Sequence, residues 1–179
     1  AKRNADIPLW AANPANGDGV FYAVLPVAEN GFIFLYVTGY VSSIELNRTA
    51  VLMKLDPNGK LLWSKNLSDE GKIRRGSGTS LAAHDGFIYV AGYTGSGKKD
   101  KDFDKISPDA TLWKYDASGR EIWVKKNRLF QLSLLMDEIK EAKMDLAVSE
   151  NYLYLAMTQK KSAKANLLIL KYDADGNIL

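Results

Sequence analysis

One ten-residue pattern recurs along this chain and limits the folds that the chain can adopt. Its copies are Lys54-Leu-Asp-Pro-Asn-Gly-Lys-Leu-Leu-Trp63, Lys114-Tyr-Asp-Ala-Ser-Gly-Arg-Glu-Ile-Trp123 and the slightly shorter Lys171-Tyr-Asp-Ala-Asp-Gly-Asn-Ile-Leu179. Each copy reads as strand, tight turn, strand, because an Asp carboxylate can accept hydrogen bonds from turn amides and Gly tolerates a positive φ. The residues that we assign structurally to these turns are Asp56, Gly59, Asp116, Gly119, Asp173 and Gly176.

A second hairpin precedes each copy. Asn30-Gly31 and Asp85-Gly86 are strong signals for two-residue hairpin turns, and each is followed by a short apolar run of strand length. Each unit therefore contains four antiparallel strands, A to D, and such a unit repeated at a near-constant period is typical of a β-propeller. We predict an all-β propeller segment with blade units at roughly 20–66, 79–127 and 144–179.

Tryptophan marks strand D of the first two units, at Trp63 and Trp123. We expect these rings to pack against the next blade, since a single blade cannot bury its flat apolar face. The third unit stops before its tryptophan, whereas the segment 6–13 with Trp10 is similar to Glu121–Asn127. We therefore predict that segment 6–13 is a strand D that completes a blade.

Three blades are too few for a closed ring, since propellers typically have four to eight. Two explanations stay open at this point. Two copies of the chain could assemble head to tail into a six-bladed ring, or the remaining blades could belong to a longer chain.

The units resemble the bacterial and archaeal β-propeller repeat of the SBBP type, through Gly92-Tyr-Thr94 and the run from Leu112 to Trp123. The pattern Asp-x-x-Gly-x-x-x-Trp is also distantly similar to the tryptophan-docking motif of quinoprotein propellers. That motif usually has one more residue between Asp and Gly, and we expect no cofactor here. The resemblance implies a propeller fold and an exported or cell-surface location, in the periplasm, at the cell surface or secreted.

Composition excludes several classes of site. The net charge is only +3, without a dense stripe of Lys and Arg, so we expect no nucleic-acid partner. The chain has no Cys and a single His, which argues against disulfides and against transition-metal sites. Its apolar runs are of strand length, and we expect no membrane span.

Alternation of the strands places the A–B and C–D turns at one end of each blade and the B–C and D–A connections at the other. We expect the latter to be long loops, with B–C loops at 39–50, 93–110 and 158–166, and we expect a helical insertion at 128–143 from its helix-like spacing of apolar residues. Long loops on a rigid scaffold commonly bind partners. The basic residues that we predict to bind an anionic ligand or partner there are Arg74, Arg75, Lys98, Lys99, Lys160 and Lys161.

Three motifs suggest chemistry that their neighbours do not support. Gly92 to Lys99 departs from a phosphate-binding loop at its last position, where Lys replaces Ser or Thr. The carboxylates of Asp100, Asp102 and Asp104 have the spacing of calcium ligands, but Lys105 stands where the loop needs Gly. We keep these three carboxylates as a weak metal candidate and predict no catalytic residues. His84 lies in a predicted tight turn.

The sequence thus favours a non-catalytic propeller module that binds a protein or small ligand through its long-loop face. Two alternatives stay open: an enzyme whose active site is completed by blades absent from this chain, and a purely structural repeat of a surface protein.

Overall fold

The described part of the chain folds into three antiparallel sheets. A computed structural model describes residues 18–42, 48–67, 74–96, 109–127, 144–161 and 164–179. Sheet 1 contains β1 (Gly19–Glu29), β2 (Phe32–Ser42), β3 (Arg48–Leu55) and β4 (Leu61–Asn66). Sheet 2 contains β5 (Arg74–His84), β6 (Phe87–Ser96), β7 (Asp109–Asp116) and β8 (Glu121–Asn127), and sheet 3 contains β9 (Met144–Ser149), β10 (Tyr152–Lys161) and β11 (Lys164–Tyr172). The predicted all-β class is confirmed for these residues.

Strands that are consecutive in sequence are hydrogen-bonded neighbours in every sheet. The first hairpins of sheets 1 and 2 turn through Asn30-Gly31 and Asp85-Gly86, and all four residues have positive φ, between 49° and 83°. A two-residue turn with this backbone matches the right-handed twist of the flanking strands, which is why Asn-Gly and Asp-Gly favour it.

The second turn has the same geometry in all three sheets. In sheet 2 the Asp116 carboxylate accepts hydrogen bonds from the backbone amides of Ser118 and Arg120, both at 3.0 Å. Gly119 donates its amide to the Asp116 carbonyl and has φ +83°. Asp56 with Gly59 and Asp173 with Gly176 repeat this arrangement. The carboxylate therefore fixes the turn, and the glycine supplies a conformation that other residues adopt only with strain.

The cores lie between successive sheets. Each sheet has two apolar faces. In sheets 2 and 3 the leading face is directed at the preceding sheet, and in sheets 1 and 2 the trailing face is directed at the following sheet. The equivalent residues define the leading face of sheet 1 and the trailing face of sheet 3. Leu52 on the trailing face of sheet 1 packs with Ile88 and Val90 on the leading face of sheet 2. Leu112 on the trailing face of sheet 2 packs with Leu155 on the leading face of sheet 3. Each pair of sheets is thus held by the same interdigitation of side chains.

The tryptophans of β4 and β8 contact the turn of the next sheet. A Cβ on Gly119 would lie 3.1 Å from the ring of Trp63, and a Cβ on Gly176 would lie 3.0 Å from the ring of Trp123. Trp123 also donates its Nε1–H to the carbonyl of Ala174, at 3.3 Å. The turn glycines therefore serve two purposes, since they adopt positive φ and leave room for an indole ring.

A repeated lysine supplies a second link between sheets. The Lys54 Nζ lies over the rings of Phe34 and Tyr36 and donates a hydrogen bond to the carbonyl of Ala117 in sheet 2. In the same way, the Lys114 Nζ lies over Phe87 and Tyr89 and donates to Ala174 in sheet 3. Because these contacts join equivalent turns, the tight-turn ends of the three sheets (the turn end) lie together, and the opposite ends (the loop end) also lie together.

Several predicted loop boundaries are wrong. Arg74 and Arg75 begin β5, while Lys160 and Lys161 end β10, so the expected loop residues belong to strands. The connection between β10 and β11 is only residues 162–163, not the predicted 158–166. Polar residues there continue the strands beyond the apolar core, since backbone pairing needs no apolar side chain. The predicted strand at 6–13 and the predicted helix at 128–143 lie outside the described residues.

Candidate functional site

The loop end is the candidate functional site, because four of the predicted basic residues occur there on neighbouring sheets. Arg74 and Arg75 pair with Ser96 and Gly95 where β5 begins. Lys160 and Lys161 pair with Ala165 and Lys164 where β10 ends. Lys98 and Lys99, the remaining predicted basic residues, lie outside the described residues, as do Trp10 and the weak metal candidates Asp100, Asp102 and Asp104. The described basic positions thus gather at one end of sheets 2 and 3.

Charge is distributed unevenly between the two ends of the described strands. The turn end carries more carboxylates than cations: Glu29, Asp56, Asp85, Asp116, Glu121, Glu150, Asp173 and Asp175, against Lys54, Lys60, Lys114, Arg120 and Lys171. The loop end carries more cations, namely Arg48, Arg74, Arg75, Lys126, Lys160, Lys161 and Lys164, against Asp18, Asp109 and Asp145. An excess of positive charge at one end raises the local concentration of anions there and steers acidic partners to it.

The exposed Asp145 links sheets 2 and 3 near the loop end. Its carboxylate accepts a hydrogen bond from the Ser80 hydroxyl at 2.9 Å, and the amide of Leu146 donates to the Ser80 oxygen at 3.1 Å. These bonds tie β5 of sheet 2 to β9 of sheet 3 near the loop end.

The single histidine lies at the opposite end of the molecule. His84 is next to the Asp85-Gly86 turn, and its Nε2 lies 3.4 Å from an Asp85 carboxylate oxygen. Asp85 is largely exposed, and both residues belong to the turn end. The pair is therefore a surface contact between chain neighbours, and it is distant from the basic positions of the loop end.

Sequence reasoning missed a buried polar cluster that joins sheets 1 and 2. The buried Lys54 ammonium forms an ion pair with Glu29, and the Tyr36 hydroxyl donates to the same carboxylate at 2.6 Å. Burial and the neighbouring Glu29 raise the pKa of the Tyr36 hydroxyl above its usual range. The cluster joins strands of sheet 1 to the Ala117 carbonyl of sheet 2. The recurrence of lysine at the start of each repeated segment was the signal that could have revealed it.

A cleft of about 390 Å³ opens between sheets 2 and 3, beside the outer edge of β11. Leu112, Val124, Leu155 and Tyr172 form its apolar wall, and Lys125, Lys126 and Asn127 of β8 form its polar rim. In sheets 1 and 2 the equivalent edge strands, β3 and β7, are paired with a fourth strand. Beyond the bridge between Tyr172 and Ile178, the described residues supply no such partner for β11.

The described ranges contain neither a metal-binding cluster nor a membrane-spanning helix. In these ranges no group of three or more His, Asp and Glu side chains is placed to hold a metal ion. No helix among them is long and apolar enough to cross a membrane.

No family model matches the chain, and no curated protein matches it. The site must therefore be interpreted from its own geometry.

Proposed function

We propose that the three sheets are blades of a β-propeller and that the chain is a non-catalytic binding module. The repeated contacts between sheets support the proposal, since Trp63 and Trp123, like the buried Lys54 and Lys114, contact the turn of the next sheet. The first strands of successive sheets, β1, β5 and β9, are also neighbours. In a propeller, successive blades would stack with their first strands together around an axis, so this adjacency supports the proposal.

The ligand class that we propose is an anionic partner, such as an acidic segment of a protein, bound at the loop end. The observation that carries this proposal is the gathering of Arg74, Arg75, Lys160 and Lys161 at one end of adjacent sheets, while the opposite end is rich in carboxylates. An exported or cell-surface location, taken from the resemblance of the repeats, belongs to the same proposal.

Retention on immobilised poly-L-glutamate, eluted with a salt gradient, tests the role of the loop end. The test variant is Lys160→Glu/Lys161→Glu. The control is Lys60→Glu/Arg120→Glu, which makes the same change in net charge at the turn end, where both side chains are exposed. A circular-dichroism melt of each variant verifies that it is folded.

We expect the Lys160→Glu/Lys161→Glu variant to elute at a clearly lower salt concentration than the control, because local charge rather than net charge governs the contact. A second pair, Arg74→Glu/Arg75→Glu, should behave like the first. Equal elution of the loop-end and turn-end variants would show that retention reflects net charge alone and would refute the proposed site.

A further inference from the structure

Two tyrosines and an arginine form a cluster at the loop end of sheet 1. The ring of Tyr22 lies beside that of Tyr40, with the ring centres 6.1 Å apart and an angle of 44° between the ring planes. The guanidinium carbon of Arg48 lies 4.7 Å from the centre of the Tyr40 ring. These three side chains (the Tyr–Arg cluster) therefore combine aromatic surface with a positive charge.

A β-bulge supplies Tyr22 to this cluster. The pairing of β1 with β2 shifts between Phe21 and Ala23, so that Tyr22 is the extra residue of the bulge. An extra residue of this kind is often used to redirect a side chain. β5 has a bulge at the equivalent position, but its extra residue is the small Thr79. The large aromatic ring is thus a feature of sheet 1 that the shared architecture of the sheets does not require.

Tyr40 lies on the trailing face of sheet 1, which is directed at sheet 2. Its cross-strand partner Ala50 belongs to the buried cluster between the two sheets, and residues that are opposite each other in antiparallel strands share a face. A Cβ on Gly76 of β5 would lie 3.4 Å from the Ala50 Cβ. Because Gly76 directly follows Arg74 and Arg75, the Tyr–Arg cluster adjoins the start of β5, where these two predicted basic residues occur.

The members of the cluster differ in how far the chain covers them. Tyr40 is 9% exposed, whereas Tyr22 is 51% exposed although its ring lies beside that of Tyr40. The ion pairs among the described residues do not include Arg48. This holds also for Asp18, whose backbone carbonyl accepts the amide of Ser42, the residue paired with Arg48. Within the described part of the chain, the cluster therefore presents an exposed aromatic ring next to a cation that no ion pair neutralises.

We infer that the Tyr–Arg cluster binds an aromatic residue within an acidic partner segment, with a neighbouring carboxylate of that segment on Arg48. Aromatic rings attract each other in offset and edge-to-face geometries, and a guanidinium donates strong hydrogen bonds to a carboxylate. The inference rests on the anionic partner proposed above and narrows its chemistry. Carboxylates alone would contact the basic strand ends, whereas an aromatic residue among them also contacts the exposed ring of Tyr22.

The experiment compares two immobilised probes of equal length, poly-L-glutamate and a random copolymer of glutamate with a minority of tyrosine. Biolayer interferometry gives the Kd of the chain for each probe. The test variants are Tyr22→Ala and Arg48→Gln. The controls are Tyr152→Ala and Lys171→Gln, which make the same types of change in a pair at the turn end, where the Lys171 Nζ lies 3.7 Å from the centre of the Tyr152 ring. Tyr152 is also partly exposed, at 37%, and circular-dichroism melts verify that all four variants fold.

We expect the unaltered chain to bind the copolymer about two- to tenfold more tightly than poly-L-glutamate, as one additional aromatic pair would provide. Charge alone predicts the opposite order, because the copolymer carries fewer carboxylates. Tyr22→Ala should remove the preference and leave the Kd for poly-L-glutamate unchanged. Arg48→Gln should raise the Kd for both probes more than Lys171→Gln does, and both control variants should keep the preference for the copolymer.

Three results would overturn the inference: an unaltered chain that binds both probes equally, a preference that survives Tyr22→Ala, or a preference that Tyr152→Ala removes as well. The proposed loop-end function has a separate readout in the salt elution of the charge variants. If Lys160→Glu/Lys161→Glu weakens retention on poly-L-glutamate while the chain shows no preference for the copolymer, the loop-end function stands and the aromatic contact is ruled out. Equal elution of the loop-end and turn-end charge variants refutes the proposed function whatever the copolymer result.

Discussion

The contact between a tryptophan and the following turn can be measured by adding one methyl group to Gly119. Gly119 has φ +83°, and a Cβ there would lie 3.1 Å from two atoms of the Trp63 ring and 2.9 Å from the Lys65 Cε. Lys65 can move its flexible end at little cost, but the ring is held by Tyr36, whose centroid is 5.8 Å away. The added carbon must therefore displace the ring or the turn.

Gly86→Ala is the matched control for Gly119→Ala, because Gly86 also has a positive φ, of 75°, but nothing lies within 4 Å of a Cβ at that position. The strain of a left-handed alanine costs about 1–2 kcal/mol at either site. Overpacking against a fixed neighbour adds about 1–3 kcal/mol at Gly119 alone. Urea unfolding should thus give a larger loss of unfolding free energy for Gly119→Ala. Losses that agree within about 0.5 kcal/mol would refute the account of the tryptophan contact.

Three further predictions follow from equivalent positions in the repeats and from the turn carboxylate. Leu112→Ala should lower the free energy of unfolding, measured with urea on the dilute chain, by about 2–5 kcal/mol. Ile169→Ala should lower it by less than about 0.5 kcal/mol, because its side chain is exposed. Similar losses for the two variants would show that sheet 3 is covered within one chain. Lys54→Met should destabilise the fold by about 3–5 kcal/mol, because it leaves Glu29 without its cation. Lys114→Met should destabilise it less, since the contacts that the structure shows for Lys114 include no carboxylate. A thermal melt in which Lys114→Met is the less stable variant would contradict this. Hydrogen bonds from Ser118 and Arg120 lower the pKa of Asp116 from its usual 3.8 to about 2. The stability that the Asp116 carboxylate contributes is therefore present above pH 4 and is lost as the pH falls towards 2. In an acid titration followed by circular dichroism, Asp116→Asn should reduce the loss of stability between pH 4 and 2, and an unchanged loss would contradict this prediction.

The hairpins could be predicted from the sequence because their causes are local. Asn30-Gly31 and the Asp116 to Gly119 turn specify their geometry through a side-chain acceptor and a residue that tolerates positive φ. Both depend only on residues within a few positions of each other. The number and order of strands in each sheet follow from these turns.

Strand ends were harder to predict than turns. Arg74 and Lys161 look like loop residues because apolar alternation has ceased where they occur, yet both lie in backbone-paired strands. Their pairing depends on the opposite strand continuing equally far, and this condition is not local in the sequence. For Arg74, Arg75, Lys160 and Lys161, the sequence therefore predicted the end of the sheet at which each residue lies, but not that each belongs to a strand.

The ion pair of Lys54 with Glu29 was not foreseen for a related reason. Its partners are 25 positions apart, and its third contact, the Ala117 carbonyl, belongs to another sheet. The spacing of the lysines signalled a repeated role, but only the stacking of the sheets shows that this role is to join neighbouring repeats.

The most direct test of the stacking of repeats is the proton chemical shift of the turn glycines in a labelled chain, measured by NMR. The account predicts ring-current shifts for the Hα protons of Gly119 and Gly176, which contact the rings of Trp63 and Trp123. Trp63→Leu should abolish the shift of Gly119 while leaving that of Gly176 in place. Gly119 resonances that are unshifted in the original chain, or that do not respond to Trp63→Leu, would contradict the claim that each sheet binds the turn of the next.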